Sequence, residues 1–274
     1  MIKLLAIDLD GTLLNENLEI SSENVEAITL ARKAGIKVII ATGRPEQLVK
    51  PYIEQLNMED DLIMYNGSVI GHPFKEEKLY SKELSKESAR EVIEFCEKHD
   101  YICMVYTKAA IISKPNYRVT FFEEKNKLLS DKNKCVFKDI RDIDEILSEE
   151  INKILLIEKD VNKYNIAKDF AKELKDCSVV QSQNGFIDIN PMGASKGAAL
   201  AFYSKKLGFK RHEIAAVGDQ DNDVSMLEFA ELSIAMGNAS EGAVNAAKYH
   251  TLTNNENGVA IAIMKYLLKS WTKC

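Results

Sequence analysis

Residues 4–14 read LLAIDLDGTLL, and the fold turns on why four apolar residues lead directly into two acids. A carboxylate buried alone is costly and tends to neutralise by shifting its pKa. Either Asp8 and Asp10 face solvent where a strand ends, or something positive stands beside them. Residues two apart on a strand share a side, so both acids are expected at the carboxyl end of a first strand. Gly11 allows the sharp turn that follows. The plain structural account is a strand-end acid followed by an Asp-Gly turn.

Outward from this stretch, apolar strands alternate with amphipathic helices. Residues 2–9 read as a buried strand. A helix follows, with Ser21 as its cap, Ile20 and Val25 as a hydrophobic staple and Gly35 as its stop. A second strand spans 36–41, and a helix over 44–56 carries Pro45 in its first turn. A third strand, DLIMYN (61–66), leads to an Asn66-Gly67 turn. Such alternation is the mark of a parallel sheet with helices on both faces. From about 78 to 190 the texture changes to hairpin-like strands mixed with two helices. After Pro191 the first pattern returns, in SKGAALAFYSKKLG (195–208), IAAVGD (214–219), DVSMLEFA (223–230) and LSIAM (232–236). The expected fold is α/β: a doubly wound, parallel-sheet, Rossmann-like core over 1–82 and 190–274, interrupted by an inserted α+β domain over 83–189.

The chain has 274 residues, 46% hydrophobic and 28% charged, with a net charge of −6. This fits a globular protein with a sizeable core. The mild negative charge argues against nucleic acid as the main partner. The Lys-rich stretch 125–138 is read as a solvated surface, with nucleic-acid binding as the remote alternative. Cys96, Cys103, Cys135, Cys177 and Cys274 show no CxxC spacing, and free thiols in a reducing compartment are expected. His72, His99, His212 and His250 lack metal-motif spacing and are assigned surface or turn roles. Tyr266, Leu267 and Trp271 are assigned to packing of the last helix. No signal-peptide pattern and no membrane-length apolar run are found, so a cytoplasmic location without membrane contact is expected.

Four segments carry chemistry. The first is the Asp8–Asp10 pair. The second is GDQDNDVSM, where Asp219, Asp221, Asn222 and Asp223 crowd into five positions after an apolar strand; acids near a helix start explain one or two of them. In the third, ATGR (41–44), the Thr42 hydroxyl and the Gly43 N–H can bind an anion where a helix begins. The fourth is Lys196 in NPMGASKGAAL, a cation at a helix start, where cations are slightly disfavoured. Each segment lies at the carboxyl end of an expected core strand or in the loop opening the next helix. Together they offer carboxylates for a hard cation and donors for an anion. Mg²⁺ prefers oxygen ligands in phosphate company. With Mg²⁺, Lys196 and Thr42 in place, Asp8 could attack phosphorus, and Asp10 could protonate the leaving oxygen and later deprotonate water.

These motifs closely resemble those of the haloacid dehalogenase-like hydrolase superfamily, over the whole chain and in order: DLDGT, Thr42 of ATGR, Lys196, and GDQDND. The long insert between the second and third motifs resembles the large α/β cap of the Cof-type subfamily. The resemblance implies a phosphoric monoester hydrolase with an aspartyl-phosphate intermediate. Asp8 would be nucleophile and Mg²⁺ ligand. Asp10 would be the general acid/base and would lend its backbone carbonyl to the metal. Thr42, Gly43, Lys196 and Asn222, with the backbone of Leu9, would bind the phosphoryl group. Asp219 would be a metal ligand, and Asp223 a further ligand or the partner of Lys196.

The expected activity is therefore Mg²⁺-dependent hydrolysis of a small phosphorylated metabolite, a sugar phosphate or a phosphorylated cofactor. Alternatives are a phosphomutase of the phosphomannomutase type, a dehalogenase, and a catalytically inactive metabolite-binding regulator. Cap loops are expected to select the substrate, with Lys114, Asn116, Tyr117 and Arg118 and the stretch around Asn184 and Gly185 as candidates. Nothing in the sequence addresses oligomeric state.

Overall fold

A computed structural model describes residues 1–108, 110–113, 136–139 and 142–268. Lys114, Asn116, Tyr117, Arg118, most of the Lys-rich stretch and Trp271 lie outside the described residues.

The first strand, β1 (Leu4–Ile7), is buried along its whole length. It lies between β2 (Lys37–Ile40) and a strand more than 200 residues away, Ile214–Gly218, and is parallel to both. The helix Ser22–Lys33 begins as expected, with the Ser21 hydroxyl accepting from the Asn24 N–H. The next helix spans Glu46–Gln55 and has Pro45 as its N-cap residue, just outside the turn that was expected to hold it. The third strand is shorter than the sequence suggested. β3 (Leu62–Met64) ends because Tyr65 and Asn66 adopt φ of 50° and 55°. β3 touches the main sheet through one parallel bridge, Ala41 to Ile63, and continues into an antiparallel meander with β4 (Val69–Gly71) and β5 (Tyr80–Ser81).

The insert forms its own six-stranded sheet from β6 (Ile102–Thr107), β7 (Ile111–Ser113), β8 (Phe137–Asp139), β9 (Ile151–Ile157), β10 (Cys177–Val180) and β11 (Phe186–Pro191). Its order is β10-β11-β9-β6-β7-β8, antiparallel except for the β7–β8 pair. The helices Lys86–His99 and Val161–Glu173 belong to this unit. Its cluster joins Val92, Ile93 and Ala167 to Val105, Ile154, Leu156 and Ile189. Met104, Tyr106, Leu155 and Ile157 belong instead to the core's cluster, with Tyr65 and Val69. Alternate residues thus give the cap sheet one face for its own helices and one for the core.

The main sheet has the order β14-β13-β12-β1-β2, with β12 (Ile214–Gly218), β13 (Leu232–Ala235) and β14 (Tyr249–His250), all parallel. Helices cover both faces. Leu5, Ile7, Val38 and Ile40 pack with Ile28 and Ile263; Leu4, Ala6 and Ile39 pack with Ala199, Leu200 and Leu227. The expected doubly wound α/β architecture is the one found. Among the described residues, no helix is long and apolar enough to cross a membrane.

One contact between helices sets the site's dimensions. The helix Lys196–Lys206 packs on Val224–Phe229 so closely that a Cβ on Gly197 would lie 2.2 Å from the Ser225 carbonyl oxygen. The Gly197 N–H donates to Ser225 Oγ at 3.0 Å. Replacing Gly197 with Ala must force these helices apart. A loss of about 1–3 kcal/mol is expected, the usual cost of overpacking, read from denaturant unfolding. An unchanged midpoint would show that the approach is slack.

Candidate active site

Registry places the site. Ile7 of β1 lies opposite Ile40 of β2 and Val217 of β12. One step beyond stand Asp8, Ala41 and Gly218, the last residue of β12, and the chain then reaches Thr42 and Asp219. The Asp8 N–H donates to the Val217 carbonyl and the Ala41 N–H to the Ile7 carbonyl, so these exits are tied together. Leu4 and Ala6 face the helix Lys196–Lys206. Asp8 continues on that side, where Lys196 Nζ meets its Oδ1 at 2.5 Å.

Lys196 is fully buried, an exceptional place for an ammonium group. Its second partner is Asp223 Oδ1 at 2.6 Å. Asp223 Oδ2 in turn accepts the backbone N–H groups of Asp219 and Gln220. Asp219 accepts from the Thr12 hydroxyl at 2.7 Å and from the Gln220 amide. Gly11, at φ +78°, leaves room for that carboxylate, because a Cβ there would lie 2.3 Å from Asp219 Oδ2.

Asp8, Asp219 and Asp223 each offer an oxygen within 4.8 Å of the others, and all three are buried. Lys196 alone does not balance three carboxylates. Burial first, then the Asp223 charge, pushes the Asp8 carboxyl well above its usual range despite Lys196. Burial and Asp223 likewise raise Asp219 to about 7. Lys196 is raised despite its burial, because Asp223 and Asp8 hold it charged. A buried all-oxygen cluster with surplus negative charge is what a hard divalent cation requires, and the residues present fit Mg²⁺.

Asp10 has a different partner. β1 ends at Ile7, and the period of two does not carry Asp10 into the Lys196 cluster. Its carboxylate takes a bidentate pair from Arg44, with Nε to Oδ2 at 2.7 Å and Nη2 to Oδ1 at 2.5 Å. Burial raises the Asp10 carboxyl, but the Arg44 charge and hydrogen bonds outweigh it, helped by Lys196 and Lys153, and the net is a lowered pKa. The Arg44 N–H donates to Thr42 Oγ at 3.1 Å. Thr42 is buried. The Gly43 carbonyl accepts from Lys153 Nζ, a side chain of the cap, at 2.8 Å.

The remaining positions fall as follows. Leu9 is buried, and its carbonyl accepts the Leu13 and Leu14 N–H groups. Asn222 donates to Asn66 Oδ1 at 3.1 Å, and Asn66 donates to Asp188 Oδ1 at 3.1 Å. Asn184 is exposed, while the Gly185 carbonyl accepts from the Glu158 N–H. Sequence reasoning did not single out Thr12, Arg44, Lys153 or Asp188, and assigned Asn66 only to a turn. Thr12 and Arg44 stood inside motifs already quoted. The signal at Lys153 and Asp188 was a charge within an apolar strand, in INKILLI and FIDIN.

A sequence model of the haloacid dehalogenase-like hydrolase family matches residues 5–263. The phosphatase YwpJ of Bacillus subtilis is 34% identical over 97% of this chain and 100% of its own length. The 5-amino-6-(5-phospho-D-ribitylamino)uracil phosphatase YcsE of the same organism is 34% identical over 97% of this chain and 96% of its own length. A solved haloacid dehalogenase-like hydrolase from B. subtilis superposes with a TM-score of 0.87 at 31% identity, covering 97% of this chain and 100% of that one.

The acid cluster has a consequence for stability. Asp219, with an ordinary value of 3.8, is raised to about 7 in the folded, metal-free chain. Between these values the native state binds more protons than the unfolded state, so this contribution is lost as pH rises through about 7. The metal-free protein should therefore melt at a lower temperature at pH 8 than the Asp219→Asn variant, with the gap closing toward pH 5. Added Mg²⁺ should raise the wild-type melting temperature more at pH 8 than at pH 5. Thermal melts over pH 5–8 that show no such difference would remove Asp219 from the cluster's electrostatics.

Proposed function

Because the chain belongs to the haloacid dehalogenase-like hydrolase family, we propose that it hydrolyses a small phosphorylated metabolite with Mg²⁺, through an aspartyl-phosphate, an acyl phosphate formed on Asp8. As a phosphoric monoester hydrolase it resembles relatives that are phosphatases over nearly their whole length. The observation that carries the finer reading is the Asp8–Asp219–Asp223 group closed by a buried Lys196.

Asp8 and Asp219, with the Asp10 backbone carbonyl and Asp223, would hold the metal. Bound there, Mg²⁺ offsets the charge that phosphate oxygens and carboxylates would otherwise bring together. Lys196 opposes the effect of burial on the Asp8 carboxyl and supplies fixed positive charge beside it. An Asp8 oxygen attacks phosphorus, the phosphorus–oxygen bond to the leaving group breaks, and Asp10 gives that oxygen a proton. Asp10, now ionised, takes a proton from water as the water oxygen attacks phosphorus; orthophosphate leaves and Asp8 is regenerated. The Thr42 hydroxyl, the Gly43 N–H and Asn222 grip the phosphoryl oxygens, with Leu9 backbone at their side.

The Arg44 pair suits the second half of this cycle, when Asp10 must be ionised. In the first half Asp10 must carry the proton, which the Arg44 pair opposes, so that half of the cycle requires the pair to open. The substrate is best sought among phosphate esters of polyols and sugars, and then among phosphorylated cofactors. YcsE, by its name, acts on a phosphoribityl compound.

Asp8→Asn should abolish phosphate release from a panel of sugar phosphates and p-nitrophenyl phosphate. Its melting temperature should not fall, since the change removes one charge from a crowded acid cluster. Normal turnover in that variant would reject the covalent mechanism. No Mg²⁺-dependent release by the wild-type protein from any ester would favour the binding-regulator alternative.

A further inference from the structure

Lys153 sits mid-strand in β9 and is buried. Its strand neighbours Ile151, Asn152, Ile154, Leu155, Leu156 and Ile157 are buried too. Stability alone favours an apolar residue there, because a buried ion pair rarely repays its desolvation. By the strand's alternation Lys153 shares a side with Leu155 and Ile157, which pack on the core. Asp188 and Asn190 of β11 lie on the same side of the sheet, since Asp188 is in register with Leu155.

Lys153 Nζ makes two hydrogen bonds, each 2.8 Å, to Asp188 Oδ1 and to the Gly43 carbonyl oxygen. The Tyr106 ring centroid lies 4.6 Å from the ammonium. Asp188 is fully buried and also accepts from Asn66 and Ser182. The Gly43 carbonyl and the Arg44 N–H belong to one rigid peptide plane. That N–H donates to Thr42 Oγ. A hydroxyl that accepts there keeps its own proton for another acceptor. Fixing the plane from the carbonyl side therefore sets where the Thr42 O–H can point. On the other side of the pair, Asp188 holds the Asn66 amide, and Asn66 Oδ1 holds Asn222.

We propose that the cap's Lys153–Asp188 pair is a positioning device for phosphoryl transfer, with Lys153 orienting Thr42 through the Gly43–Arg44 peptide and Asp188 orienting Asn222 through Asn66. This rests on the hydrolase reading above, in which Thr42 and Asn222 grip the phosphoryl group. The cap then supplies part of the phosphate grip common to all substrates, and its contribution does not depend on the leaving group.

The test uses the full-length protein. Lys153→Met leaves Asp188 buried without a counter-charge, so Lys153→Met/Asp188→Asn, which removes both charges, is made beside it, with Lys153→Arg as the conservative variant. Titration calorimetry reads orthophosphate binding in the presence of Mg²⁺, and Mg²⁺ binding alone. Steady-state kinetics on p-nitrophenyl phosphate reads kcat and KM. A grip misplaced by an ångström costs about 100-fold, so kcat of the folded double variant should fall by about that factor. Orthophosphate affinity should drop about tenfold or more, a loss of at least ~1.4 kcal/mol. Mg²⁺ affinity should stay at the wild-type value, and Lys153→Arg should recover part of the loss. Wild-type orthophosphate affinity and kcat in the folded double variant would overturn the proposal, as would a loss confined to Mg²⁺ binding. If the wild-type protein hydrolyses no ester, the hydrolase reading fails, and the orthophosphate titration still decides whether Lys153 and Asp188 set the grip.

Discussion

Everything at the carboxyl edge of the main sheet is arranged around one buried ammonium group. Lys196, at the start of the helix after the cap, reaches together Asp8, just past the first strand, and Asp223, in the loop after β12. No solvent screens this triad, so its members must be placed well or cost more than they contribute. That requirement explains the close approach at Gly197, the shape of the turn at Gly11, and the backbone N–H groups that hold Asp223. Even so, the negative charge exceeds the positive. That surplus is what a divalent cation would offset.

Much of the architecture was legible because it is written in short-range patterns. Ser21 before an amphipathic run, Gly35 after it, and the apolar runs at 36–41 and 214–218 each report on their own neighbourhood. The recognised family accounts for the motif residues: Asp8, Thr42 and Asp219 follow strands that end at one edge of the sheet, and Lys196 opens a helix that reaches them. What escaped was relational. Asp10 was paired in expectation with Asp8 by strand alternation, yet β1 stops at Ile7 and Asp10 goes to Arg44. Asn66 looked like half of an Asn-Gly turn. It is a buried amide bridging Asn222 and Asp188, in a left-handed conformation that its neighbours hold in place. Period and propensity cannot reveal such partners, because these bonds join residues 34 to 156 positions apart.

The cap illustrates the same limit from the other side. A single strand, β9, gives Ile154 and Leu156 to the cap's own core and Leu155 and Ile157 to the main domain. A strand with two apolar faces offers no hint of which side a lone Lys will take. Only the registry with β11 shows that Lys153 and Asp188 meet, and that they meet over the Gly43 turn. The cap is thus joined to the loops of the candidate site by directed polar contacts as well as by apolar packing.

The interior place of β1, between β12 and β2, bears on biosynthesis. Asp8 and Lys196 are 188 residues apart, and Thr12 and Asp219 are 207 apart. A nascent chain presents its first apolar strand long before β12 exists to flank it, and such non-local pairing is slow to form. The Asp8–Lys196–Asp223 group therefore closes only after residue 223 has been made. Until then the LLAI segment has only β2 beside it, and one of its two edges is unpaired.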